Sequence, residues 1–227
     1  MKSRISVARL WRDCSGATLV EFTVIMPVLF TLTLGTVDLG YLLYDYSVAS
    51  KAAYAGAHRA IVSDPAASGI TTINWTPTDI GQDCSGTSGT SGFCTGYATT
   101  TTCTVSASLG SGSCTNGYTF NSNAFTAIVN RMQTTFGCTA GDSGCALQPK
   151  NVSITYAITG TLGFVGQPNG LPMNVTVSLS CMNHTFYFIG ALMGWTFQAQ
   201  QGCSGTPAGW AIPTYSTTLT SEDLTSG

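Results

Sequence analysis

One carboxylate interrupts a long apolar stretch near the start of the chain. Residues 16–37 read GATLVEFTVIMPVLFTLTLGTV, with Glu21 as their charged residue. A charge at the middle of a bilayer costs about 2.5–3.5 kcal/mol, and less near the interface, so it is tolerated best beside a cationic partner. A glycine, Gly16, lies five residues before Glu21. This arrangement predicts a membrane helix that also carries a processing signal and an assembly device. Four basic residues precede it: Lys2, Arg4, Arg9 and Arg12.

Cysteines are the second set of residues whose side chains can do chemistry. Cys14 lies in the basic leader, and eight more follow the apolar run. An even set in a Gly/Ser/Thr-rich region indicates disulfides and an oxidising compartment, although eight cysteines allow 105 pairings. A zinc site is a weaker interpretation than disulfides because no CxxC spacing occurs, and we predict no metal site. The disulfide candidates are Cys84, Cys94, Cys103, Cys114, Cys138, Cys145, Cys181 and Cys203.

Residues that would support catalysis do not form a recognisable pattern. The sequence contains no nucleophile elbow, P-loop, HExxH or GxGxxG motif. His58 lies in an alanine-rich stretch and His184 in an aromatic one, and the acidic residues form no acid/base pair. We therefore predict no catalytic residue, no cofactor and no enzymatic activity.

The charge distribution separates the leader from the rest of the chain. Charged residues make up 8% of the 227 residues, against about 25% in a typical protein. Phosphate neutralisation needs clustered Lys and Arg, so nucleic acid is not a predicted partner. Beyond Gly16 there are four basic and nine acidic residues, a net charge of −5.

The apolar stretch is too long for the core of a secretory signal, and no A-x-A site closes it. Sixteen apolar or uncharged residues separate Glu21 from Asp38, and the flanks extend the stretch to the roughly 20 residues that span a bilayer. The basic leader favours a cytoplasmic N-terminus, which leaves the eight cysteines that follow the apolar stretch outside. Tyr41, Tyr44 and Tyr46 follow the stretch where an aromatic interfacial belt is expected.

Helical character continues past the apolar stretch. Residues 47–62 are rich in Ala and Gly, which allow close helix approach, and Asp64-Pro65 is a plausible stop. We expect one helix over 17–62, about 69 Å long and bent at Pro27. The alternative is two helices broken near Gly35 or Gly40.

The sequence of residues 63–227 predicts a small α+β domain. We divide it into a Gly/Ser/Thr/Cys-rich loop region with short strands (63–120) and an α+β domain (121–227), after a leader (1–16). Apolar spacing predicts a helix over 123–136, capped by Ser122 or Asn123 and ended by Gly137. Alternation predicts antiparallel strands over 151–159 and 174–181, with a last strand over 212–220. The apolar run 186–195 is either a core-covering loop or a contact surface near the bilayer.

The N-terminal fifth of the chain resembles the TadE-like proteins of the Tad (tight adherence) pilus system. The similarity is carried by GATLVEF at 16–22, by Pro27, by Leu39-Gly40-Tyr41 and by the alanine-rich run that ends at residue 60. The fold class is then α+β and pilin-like: a long N-terminal transmembrane α-helix followed by a small disulfide-stabilised extracytoplasmic domain with an antiparallel β-sheet and one packed helix.

This resemblance implies a role and a set of partners. A prepilin peptidase would cleave between Gly16 and Ala17, making Glu21 the fifth mature residue and the amine of Ala17 on a neighbouring subunit its partner. The protein would be a minor pilin or pseudopilin of the bacterial inner membrane, with a periplasmic or extracellular C-terminal domain. Its partners would be other pilins, the Tad secretion platform and the lipid bilayer. The alternative is a membrane-tethered, disulfide-rich adhesion module that never enters a filament.

Overall fold

The computed structural model contains two α-helices and nine strands in its described part. That part comprises residues 17–71, 78–79, 81–84, 92–106, 111–158, 164–165, 172–184, 186–188, 210–211 and 214–221. The helices are α1 (Ala17–Ile61) and α2 (Ser122–Phe136). The strands are β1 (Ala67–Ser68), β2 (Thr99–Val105), β3 (Gly112–Cys114), β4 (Thr119–Phe120), β5 (Val152–Ile158), β6 (Asn174–Leu179), β7 (Asn183–His184), β8 (Trp210–Ala211) and β9 (Tyr215–Thr220).

Helix α1 is continuous for 45 residues, which confirms the prediction of one long helix over that of two. Pro27 lies inside it. Its two halves have different surroundings, because large apolar side chains are exposed in the first half and small ones are buried in the second. The buried residues are Ala49, Ala52, Ala53, Ala57 and Ala60. The density of alanines therefore does what the sequence indicates: it allows the second half to pack closely on the domain.

The main sheet has the strand order β3-β2-β5-β6-β9, with every neighbouring pair antiparallel. Alternation in β5 and β6 places one set of side chains in the core, which confirms the strand predictions there. The second half of α1 contacts β6 and β9 and also packs against α2. The fold class is thus α+β, with helices covering an antiparallel sheet.

The opposite sheet face is covered with hydroxyl groups. Thr102, Thr155, Thr176 and Thr218 lie in register across four adjacent strands. Their hydroxyls pair at 3.0 Å between Thr102 and Thr155 and at 2.7 Å between Thr176 and Thr218. Threonine favours strands and can satisfy its hydroxyl across them, so this chain needs few charges to build a solvent-facing sheet.

Helix α2 has the predicted apolar stripe but a different cap. Phe125, Ile128, Val129 and Met132 are buried. Its N-cap is Asn121, whose side chain accepts a hydrogen bond from the N–H of Ala124, so the prediction of Ser122 or Asn123 was wrong by one or two residues. Gly137 ends the helix as predicted, with φ at 97°.

Three disulfides join near neighbours in the sequence. The pairs are Cys84–Cys94, Cys103–Cys114 and Cys138–Cys145. Cys181 is disulfide-bonded as well, and Cys203 lies outside the described residues. The cysteine-based prediction of crosslinks therefore agrees with the structure for seven of the eight candidates.

Several sequence predictions concern residues that the structure does not describe or places differently. The leader, including Gly16, and most of the apolar run 186–195 lie outside the described residues. The last strand is described from Tyr215 rather than residue 212. Strands β2 and β3 come from the region predicted as loop and short strands, yet they belong to the main sheet.

Candidate functional site

The first half of α1 presents an apolar surface that no other described element covers. Leu19, Phe22, Ile25, Leu29 and Phe30 are each more than half exposed. Within the described part of the chain, one helix is long and apolar enough to cross a membrane, with a mean hydropathy of 1.8 in its most apolar window. Such a surface in a helix of this length identifies a candidate single membrane span.

Threonine hydroxyls inside this half are satisfied within the helix. Thr23 donates to the carbonyl of Val20 at 2.8 Å, and Thr31 donates to the carbonyl of Val28 at 2.8 Å. A bilayer core offers no water to polar groups, so internal hydrogen bonds of this kind lower the cost of placing threonine in lipid.

Glu21 is exposed on the same half and makes no hydrogen bond or ion pair with another described residue. The side chain of Ala17 and the whole leader lie outside the part that the structure describes. The structure therefore leaves the predicted roles of Gly16, Ala17 and Glu21 untested.

Asp38 is fully buried at the end of the apolar half. Its two carboxylate oxygens accept hydrogen bonds from the backbone N–H groups of Tyr187, at 3.3 Å, and Phe188, at 2.9 Å. The C-terminal part of the chain thus folds back onto α1 and covers this charge. A buried polar group is costly unless it is hydrogen-bonded, so these two contacts hold the segment 186–188 against α1.

A second carboxylate seven residues further along α1 binds the same part of the chain. Asp45 Oδ2 lies 2.7 Å from Nδ1 of His184, which is 4% exposed. The Nε2 atom of His184 is buried and has no hydrogen-bond partner in the described structure. Asp38 and Asp45 lie two turns apart on one face of α1, so the two contacts hold one segment against the helix.

Tyrosines surround this contact. Tyr41 packs edge-on against Tyr187, with ring centroids 6.3 Å apart, and Tyr46 packs similarly against Tyr215 at 6.0 Å. Tyr44 is exposed. Two of the three tyrosines predicted to form an interfacial belt thus pack against tyrosines from the C-terminal part of the chain.

Sequence reasoning did not identify Asp38 and Asp45 as binding residues. Their spacing of seven was a usable signal, because it places both carboxylates on one helix face. The sequence indicated only a structural role for His184, which agrees with the burial of that residue.

Basic side chains line two adjoining grooves between the second half of α1 and α2. The grooves have volumes of ≈ 520 and ≈ 540 Å³ and share His58 and Arg131. Lys51 lines one and Arg59 the other. Three of the four Lys/Arg residues beyond Gly16 thus lie here, and in the described structure none of the three is within ion-pair distance of a carboxylate.

Metal-ligating side chains do not cluster in the part of the chain that is described, where no group of three or more His, Cys, Asp or Glu could hold an ion.

Comparison with known proteins supports the resemblance at the N-terminus. Residues 16–58 match the protein family described as TadE-like protein, which confirms the family resemblance over that segment. The match ends within the second half of α1 and covers about a fifth of the chain. Searches of curated proteins and of solved structures gave no significant match.

Proposed function

We propose that the protein is a minor pilin or pseudopilin used in the assembly of a Tad-type adhesive pilus. The observation that carries the proposal is the coincidence of two features on α1: the TadE-like match over 16–58 and the exposed apolar half that begins inside it. A pilin needs one surface that can exchange lipid for the helices of neighbouring subunits, and the apolar half offers such a surface.

Cleavage between Gly16 and Ala17 would give α1 a free amine near its exposed carboxylate. On a neighbouring copy this amine is a cationic partner for Glu21, which has none among the described residues of its own chain. Pairing of the two charges in an apolar surrounding offsets the cost of holding Glu21 in lipid. The C-terminal domain then lies on the far side of the inner membrane, where its disulfides persist.

N-terminal sequencing of the protein recovered from membranes tests the processing step. A mature chain that begins at Ala17 supports the proposal. A chain that retains Met1, in cells with an active prepilin peptidase, would show that the leader is not a processing signal.

The role of Glu21 is tested by a Glu21→Ala variant. We expect it to be cleaved normally but to be missing from purified pili, while remaining in the membrane fraction. Thr23→Ala is the matched control, because Thr23 is exposed two residues away and bonds only within the helix. Equal recovery of Glu21→Ala and Thr23→Ala in pili would remove the assembly role.

A membrane-tethered binding module is the second candidate function, and the basic grooves favour it. Clustered Lys51, Arg59 and Arg131 on a region with a net charge of −5 form a site for an anionic ligand. Dextran sulfate is a suitable probe, with neutral dextran as its control.

Lys51→Ala together with Arg131→Ala should abolish binding of dextran sulfate. Lys150→Ala, which removes an exposed cation outside the grooves, should leave binding unchanged. Equal loss in both variants would mean that binding reflects only overall charge.

A further inference from the structure

We propose that the segment 186–188 forms, with Tyr41, a lipid-binding surface that seats the C-terminal domain on the bilayer. Asp38 is the residue that positions it. The partner is the headgroup layer on the side of the membrane that carries the domain. This inference rests on the proposed membrane span of α1.

The position of Asp38 along α1 sets the height of this surface. Glu21 and Asp38 bound the apolar stretch, so we take the midpoint between them as the centre of the span. Asp38 lies about 13 Å from that centre at 1.5 Å per residue. Tyr41 lies about 17 Å from it by the same rise. The hydrocarbon core extends about 15 Å from the bilayer centre, and headgroups extend to roughly 22 Å. Asp38 is therefore at the edge of the hydrocarbon, and Tyr41 is among the headgroups.

Tyr187 and Phe188 are held near the heights of Asp38 and Tyr41. Their backbone N–H groups bind the Asp38 carboxylate, and the ring of Tyr187 packs against Tyr41. These contacts satisfy the carboxylate at a depth where an uncovered charge would be costly. They also direct two aromatic side chains away from the core.

Both side chains are free to meet lipid. Tyr187 is 67% exposed and Phe188 is 43% exposed. On α1, the apolar residues on either side of Asp38, Val37 and Leu39, are 46% and 50% exposed, while Asp38 itself is buried. An amphipathic ring beside an apolar one, at headgroup height, matches the residues found at membrane–water interfaces.

Photocrosslinking in vesicles tests the inference with the full-length protein. A benzoylphenylalanine probe replaces Phe30, Tyr187 or Tyr54 in turn. The vesicles contain phosphatidylethanolamine and phosphatidylglycerol with radiolabelled acyl chains. Phe30 reports on the span. Tyr54 is the control, because it is an exposed tyrosine that lies about 37 Å from the span centre, beyond the headgroups.

We expect lipid adducts at positions 30 and 187 and none at 54. Adducts at 30 but not at 187, or a crosslink from 187 to a second protein chain, would overturn the inference and leave the proposed function standing. Adducts at all three positions would overturn it too, since the height assignment would be wrong. No adduct at 30 would overturn both, because α1 would not span the bilayer.

The positioning role of Asp38 is tested in the same assay. Asp38→Ala should lose the lipid adduct at 187 and keep the adduct at 30, because the segment loses the acceptor for its two N–H groups. Asp38→Asn, which keeps an oxygen acceptor, should restore part of the yield. Thr36→Ala is the neighbouring control, because Thr36 is exposed and its hydroxyl donates to the Thr33 carbonyl within the helix. An unchanged adduct at 187 in Asp38→Ala would refute the positioning role, and the unsubstituted protein tests the lipid surface even if that variant fails to fold.

Discussion

Gly56 of α1 lies directly against Met132 of α2. A Cβ atom added to Gly56 would be 2.6 Å from both Cγ and Sδ of Met132, which is fully buried. The absence of a side chain at this one position thus lets the two helices approach each other. The packing of the long helix α1 against the domain depends on this close contact between α1 and α2.

Gly56→Ala should therefore destabilise the domain, although alanine is the better helix former. Overpacking a filled core typically costs about 1–3 kcal/mol, and over most of that range the cost outweighs the roughly 1 kcal/mol gained from helix propensity. Urea unfolding in detergent, followed by near-ultraviolet circular dichroism, measures the change. Gly40→Ala is the control on the same helix, because a Cβ there meets nothing within 4 Å. A Gly56→Ala variant as stable as Gly40→Ala would contradict the packing argument.

The disulfide pairing gives a second prediction. Digestion of the mature protein without reductant should yield linked peptides for Cys84–Cys94, Cys103–Cys114 and Cys138–Cys145. Cys181 is also disulfide-bonded, and cleavage after Gly16 would remove Cys14, so elimination leaves Cys203 as its expected partner. Mass spectrometry reads the pairs directly. A peptide linking Cys103 to Cys138, for example, would contradict the structure.

Tyr156 predicts an alkaline loss of stability. Its side chain is fully buried, its hydroxyl accepts a 2.8 Å hydrogen bond from the N–H of Ala66, and burial raises its pKa well above the ordinary value of 10.0. A raised pKa in the folded state means that the stabilisation is complete below pH 10.0 and is lost as the pH rises beyond it. Folded protein should therefore unfold more easily between pH 10 and 12.

Tyr156→Phe separates this effect from general alkaline damage. The variant should be about 1–3 kcal/mol less stable at pH 8, because the Ala66 N–H loses its acceptor. The gap to the unsubstituted protein should narrow above pH 10, since the variant has no phenol to ionise. Thermal unfolding at several pH values checks this, with the exposed Tyr54→Phe as control. A gap that stays constant to pH 12 would mean that Tyr156 does not control the alkaline limb.

Local patterns in the sequence were enough to predict most secondary structure. The alternation of Val152, Ile154 and Tyr156 predicts a strand with one buried face, and the spacing of Phe125 and Met132 predicts a helix. Both signals depend only on which side of an element faces the core. Strand β2 was harder to predict, because its run of threonines reads as a loop by composition and becomes a strand only through its pairing with β5.

The contacts between the long helix and the end of the chain could not be predicted in this way. Asp38 meets Phe188 across 150 positions, and no local period encodes such a contact. The basic grooves likewise need α2 to be placed beside α1 before Lys51 and Arg131 line one surface. Disulfide pairing was open among 105 arrangements, and folding selects pairs only 7 to 11 residues apart for the three described.

The pair formed by Asp45 and His184 should couple the stabilities of the helix and the C-terminal segment. The 2.7 Å contact is the only hydrogen bond of the His184 side chain in the described structure, so removing Asp45 leaves a buried ring with both nitrogen atoms unpaired. A double-mutant cycle with Asp45→Ala and His184→Ala measures the coupling. Contacting polar pairs typically give about 0.5–3 kcal/mol, and we expect a favourable value in that range.

The control cycle pairs Tyr54→Ala with His184→Ala, which should be additive because Tyr54 is exposed and lies nine residues further along α1. Additivity in the Asp45 cycle would mean that the contact does not hold the segment in place.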